Sequence, residues 1–124
     1  MANPFCFAML NTTDKNKAVD FYDNLLDWEF DEVAMGESTF TFIKVGEGTN
    51  GAISHMPPPA GAPSHWITYV LVDDVESSTN KARELGAKIF VEKTKTGNYG
   101  YFSVIADPVG SVLALWENIS HEPK

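Results

Sequence analysis

Four prolines and a glycine fall within eight residues, Met56-Pro57-Pro58-Pro59-Ala60-Gly61-Ala62-Pro63, and divide the chain into two comparable halves. Such a stretch continues neither a helix nor a central strand, because proline fixes its own φ and lacks the amide donor. It reads as an extended surface linker over 57–63. A chain of 124 residues suffices for one domain and falls short of two ordinary ones. The linker is therefore expected to cross between two subdomains of one fold.

The halves repeat one order of elements. A shift of sixty positions lays Phe7-Ala8-Met9-Leu10 on Ile67-Thr68-Tyr69-Val70, Asp14 on Asp74, Leu25 on Leu85, Ile53 on Leu113 and Ser54 on Ala114. In the first half an apolar run, Phe5–Asn11, meets the capping segment Thr12-Thr13-Asp14. Ala18, Tyr22, Leu25 and Leu26 then recur at helical spacing, with Val19 and Phe21 widening the stripe. Strands are expected over 28–33, 40–45 and 52–55. In the second half the strand 66–72 precedes the cap Asp73-Asp74 and a helix carrying Val75, Ala82 and Leu85. Glu76 near its start and Lys81 and Arg83 near its end suit the helix dipole, and Gly86 suits the C-terminal cap. Strands follow over 88–92, 101–106 and 111–116, the last two joined by the turn Asp107-Pro108-Val109-Gly110. Two βαβββ units, 5–56 and 64–117 with a polar tail 118–124, imply an α+β fold of curled mixed sheets with helices on their outer faces. Strand alternation gives two sets, Phe7 with Met9 against Ala8 with Leu10, but both are apolar and parity alone does not say which meets the helix.

The segments Met9–Asp14, Ala18–Tyr22 and Leu25–Trp28 resemble the opening of the vicinal-oxygen-chelate superfamily, which contains glyoxalase I, bleomycin-resistance proteins and extradiol dioxygenases. Trp66–Asp74, Glu84–Ala87 and Ala106–Ser111 extend the resemblance to residues 5–117, nearest to small glyoxalase-related proteins. It implies a cupped sheet from each half with a pocket inside, and, in metal-dependent members, one histidine or carboxylate from each of four strands on a divalent ion. Here those positions fall on Phe7, Ser54, Ile67 and Ala114. Three are hydrocarbon and serine alone is a poor ligand, so no metal and no other cofactor is expected. The same alignment turns Phe7, Met9, Ser54, Ile67, Tyr69, Tyr101, Ala114 and Trp116 toward the pocket, where ordinary core packing is the competing reading.

His55, at the end of a pocket-lining strand, and Glu117, after Trp116, are the acid/base candidates, set against the plainer reading of solvated loop or strand-end groups. Gly97–Tyr101 reads as a hairpin loop able to act as a flap, and the single Cys6 as a thiol packed toward the helix. A net charge of −8 disfavours nucleic acid and anionic membrane and favours a cationic partner. The short apolar stretches and the absence of a basic leader point to the cytoplasm. Three functions compete: metal-independent binding of a small cationic or aromatic molecule, a glyoxalase-related lyase, isomerase or dioxygenase with an atypical or absent metal site, and a non-catalytic assembly module. Homodimerisation is expected under each.

Overall fold

The computed structural model describes residues 3–35, 38–55, 64–96 and 99–119. Its elements follow the order β1 Phe5–Thr12, α1 Lys15–Leu25, β2 Glu29–Met35, β3 Ser38–Lys44, β4 Gly51–His55, β5 His65–Leu71, α2 Val75–Glu84, β6 Lys88–Thr96, β7 Gly100–Ala106 and β8 Val112–Asn118. The fold class is α+β, and βαβββ occurs twice. The proline-rich 57–63 and residues 120–124 of the polar tail lie outside the described residues. Two compact units divide the chain, Cys6–Ile67 and a second that joins the N-terminal residues up to Phe5 to Thr68 and beyond. None of the described helices is long and apolar enough to cross a membrane.

In the first unit the strand order is β2-β3-β4-β1, with β1 parallel to β4 and the other pairs antiparallel. Asp14 starts α1: its Oδ1 accepts the Lys17 amide at 3.0 Å, satisfying one of the donors a helix start leaves unpaired. Leu10, Ile43 and Ile53 form the core, with Ala18, Val19 and Tyr22 of α1 packed on it. The face of β1 that meets the helix is therefore the Leu10 face. Phe21, Leu25 and Leu26 were expected in that stripe and are instead exposed, and no α1 residue is fully buried. The short contact with the sheet engages only the arc around Ala18 and Tyr22, so residues flanking that arc reach solvent.

Glu32 of β2 ties the sheet to α1. Its carboxylate accepts from the Thr41 hydroxyl at 2.8 Å and from Lys15 Nζ at 3.3 Å. The Thr41 hydrogen bond, reinforced by Lys15, holds the carboxyl below the usual glutamate range despite partial desolvation. A depressed folded pKa gives stability that is present above the unfolded value of about 4.3 and is lost as pH falls through the folded value. Glu32→Gln is thus expected to flatten the acid limb of the melting-temperature profile below that pH while leaving its slope near neutrality unchanged.

In the second unit the order is β5-β8-β7-β6, with β5 parallel to β8 and the rest antiparallel. Asp74 caps α2 through Oδ1 to the Ser77 amide at 3.1 Å, and Gly86, with φ +102°, ends it. Val72, Val75, Ile105 and Leu115 make the core, joined by Ala82, Ile89, Tyr101 and Leu113. Leu85, expected in the stripe, is 70% exposed, as is its repeat partner Leu25 at 60%. Between helix and sheet the buried Thr79 hydroxyl bonds Val75 O at 2.6 Å and meets Ser103 Oγ at 2.8 Å, so these hydroxyls are paired where water is excluded. Strand β6 runs past the expected 92 to Thr96 with two register shifts. Its continuation, Glu92–Lys95, is polar and exposed on an edge, so no hydrophobic alternation marks it.

Candidate functional site

Alternation along each strand separates a face that meets the helix from one that does not. In the first unit the register pairs Met9 with Ala52, Asn11 with Ser54, Ala52 with Phe42 and Phe42 with Asp31, all on the face away from α1. Phe7 belongs to the same face, its ring centroid 6.0 Å from that of Phe42. Phe7 and Met9 are half-buried and Ser54 is buried. Asp31, an acid on this face, is paired with Lys44 at 3.1 Å, and Glu29 lies opposite the same lysine.

In the second unit the corresponding face is aromatic. Tyr69 of β5 lies opposite Ala114 of β8, and Trp116 lies opposite Phe102 of β7. The Tyr69 ring stands 6.3 Å from Phe102 and 6.2 Å from Trp116, at interplanar angles of 41° and 58°. These separations fall in the range of favourable tilted aromatic pairs. Tyr69 and Ala114 are buried, whereas Phe102 and Trp116 retain partial exposure. Ile67, two residues before Tyr69 on β5, is also buried.

Three sequence expectations change. Tyr101 does not share the face of Tyr69 and Trp116. It packs on the Val72–Leu115 core beneath α2, with Lys93 Nζ 4.4 Å from its ring centroid, and its neighbour Phe102 takes the expected place. Two adjacent aromatics satisfy either parity, and only the antiparallel pairing of Phe102 with Trp116 decides between them. Glu117 alternates with Trp116 and so stands on the helix side. Its Oε1 accepts the Val75 amide at 2.9 Å, which makes it a partner of the α2 start in place of a solvated base. Finally, Ala114 pairs with Tyr69, but in the first unit Met9 pairs with Ala52 rather than Ser54. The sixty-residue shift slips by two between the first and last strands of the repeat. Ala52 is therefore the counterpart of Ala114, and Ser54 lies two residues further along the same face.

His55 ends β4 opposite Thr12, and its side chain lies outside the described part. Gly97 and Asn98 of the expected flap are likewise outside it. Cys6 is half-buried, which pushes its thiol up. Among the described residues no three histidine, cysteine or carboxylate side chains converge as a metal site. The residues missed by sequence are Phe42, Phe102, Gly100 and Asn118, all assigned to their face by strand pairing.

A family model described as Glyoxalase/Bleomycin resistance protein/Dioxygenase superfamily matches residues 6–115. A Mycobacterium tuberculosis protein named "Putative glyoxylase CFP32" is 34% identical over 116 residues, covering 90% of this chain and 44% of that protein. DnrV of Streptomyces peucetius, named an anthracycline biosynthesis protein, is 26% identical over 121 residues, covering 86% of this chain and 44% of its own. The chain thus spans less than half the length of these relatives. The solved structure of "hypothetical protein BH1468" from Bacillus halodurans C-125 matches over 100% of both chains, with a TM-score of 0.71 and 13% identity, a likeness of fold. With strand order, helix caps and repeat in place, the chain belongs to the glyoxalase/bleomycin-resistance/dioxygenase superfamily.

Proposed function

We propose that the protein binds a small planar aromatic molecule, preferably a cation, against Tyr69, Phe102 and Trp116, and that it does so without a divalent metal. The observation that carries this reading is the convergence of three rings on one sheet face with the small Ala114 among them. Flat π faces of this kind favour stacking and cation–π attraction, and the net charge of −8 draws cations toward the chain. Phe7, Met9 and Phe42 give the first unit an apolar face of its own. A relative named for anthracycline biosynthesis supports a polycyclic ligand class.

The superfamily's metal-holding strands would place Phe7, Ala52 or Ser54, Ile67 and Ala114 around an ion, and only the serine brings a donor atom. Those side chains do not fit a divalent cation, so no Lewis-acid step is assigned to them. A second reading, turnover by a glyoxalase-related lyase or isomerase, draws on a relative's name alone, and a shared fold hosts many chemistries. Homodimerisation and a cytoplasmic location belong to the proposal on the same footing.

Calorimetric titration with proflavine, a planar cation, is the test. One saturable event per chain that weakens with added salt is expected, because surface attraction is screened. Absence of both heat and thermal stabilisation, for proflavine and for a neutral planar analogue, overturns the reading.

A further inference from the structure

At the end of the β7–β8 ladder Gly100 lies opposite Asn118, one step beyond the Phe102–Trp116 pair on the same face. Gly100 is not among the glycines with positive φ, so its backbone is one that other residues adopt. What it lacks is room. A Cβ there would stand 2.6 Å from Trp116 Cζ2 and 2.9 Å from Cε2, and would also collide with the Glu117 carbonyl oxygen. The indole therefore lies over bare glycine backbone. At its polar end Nε1 donates to Asn118 Oδ1 at 2.7 Å. Tyr69 flanks it at 6.2 Å.

An indole anchored in this way has its only N–H donor satisfied within its own strand. It offers a ligand a π face, demands no acceptor from it, and loses little rotamer freedom when the ligand arrives. We infer that Gly100 and Asn118 are positioning residues that hold the Trp116 indole in one orientation as the stacking platform for a planar aromatic ligand lacking a strong acceptor at that edge. This deepens the binding reading above and rests on it for the ligand. The fixing of the indole stands on geometry alone.

The full chain labelled with fluorotryptophan tests it by fluorine NMR, with the Trp116 resonance assigned through Trp116→Phe. Asn118→Leu is expected to split, broaden or shift the Trp116 signal while leaving those of Trp28 and Trp66 in place. Asn118→Asp, which keeps an acceptor oxygen, restores it. Proflavine affinity should fall about five- to tenfold in Asn118→Leu, the loss expected when a side chain must be ordered on binding. Asn118→Asp recovers it when measured in high salt, where the added charge is screened. Gly100→Ala should move the same signal; if that variant does not fold, Asn118→Leu, at an exposed position, decides. A Trp116 signal indifferent to Asn118→Leu, or unchanged affinity in that variant beside normal wild-type binding, overturns the inference. Wild-type protein that binds no planar probe, but whose Trp116 signal still responds, overturns the binding reading and the ligand half of the inference while the anchoring stands.

Discussion

Ile53→Ala is expected to lower the unfolding free energy by about 2–5 kcal/mol, toward the upper end of that range, with a matching drop in urea midpoint. Ile53 is completely buried, in a strand hydrogen-bonded on both sides. Leu10 pairs with it across β1 and Thr41 across β3, and Ile43 and α1 close over it. Neighbours locked in two ladders cannot move inward to fill the space, so the lost methyl and methylene groups leave a cavity. Leu25→Ala removes the same amount of hydrocarbon, three carbons, but at a position that is 60% exposed. Its cost should stay within about 0.5 kcal/mol. Similar urea midpoints for the two variants would show that the core has been placed on the wrong face of the sheet.

Trp116→Ala should reduce proflavine affinity by roughly thirtyfold, the scale of a hot-spot truncation of about 2 kcal/mol. The ring lies by Phe102 and Tyr69 and keeps part of its surface open, whereas Tyr69 is buried, so the larger indole face is available to stack on a ligand. Trp116→Phe retains a π face and should recover most of the affinity. Trp66→Ala provides the contrast. That indole is 40% exposed, but it belongs to the first unit's Tyr22–Trp28 cluster, where its Nε1 donates to Tyr22 Oη at 3.3 Å. Its removal should cost stability and leave binding unchanged. Loss of affinity in Trp66→Ala with retention in Trp116→Ala would relocate the ligand to the α1 side.

The element order, both helix caps and the division of each strand into two faces are legible because each rests on a local rule, a side chain that accepts an amide three residues on or a period of two; which face of β1 meets the helix is decided by packing. Asp14 and Asp74 needed no tertiary information. The structure departs from the sequence reading where the deciding fact is a pairing between distant strands. Tyr101 and Phe102 are equivalent by composition, and Trp116 selects one of them. Glu117 reads as an acid/base candidate or a solvated strand-end group from its place after Trp116, and alternation sets it with Leu113 and Leu115, where its partner is the Val75 amide. Ser54 was matched to Ala114 by a constant offset that the parallel registers do not keep. Gly97–Tyr101 reads as a hairpin loop, and no local pattern reveals that a Cβ at Gly100 would collide with the Trp116 indole.

The most direct measurement is elemental analysis of the protein purified without chelators from metal-supplemented medium, followed by calorimetric titration with zinc, nickel, manganese and iron(II). Far less than one equivalent of any divalent metal, and no saturable heat, is the predicted result, because the proposed reading sets the hydrocarbon side chains of Phe7, Ile67 and Ala114 where the superfamily's metal-dependent members carry ligands. One tightly held equivalent per chain, lost on Ser54→Ala, would contradict it.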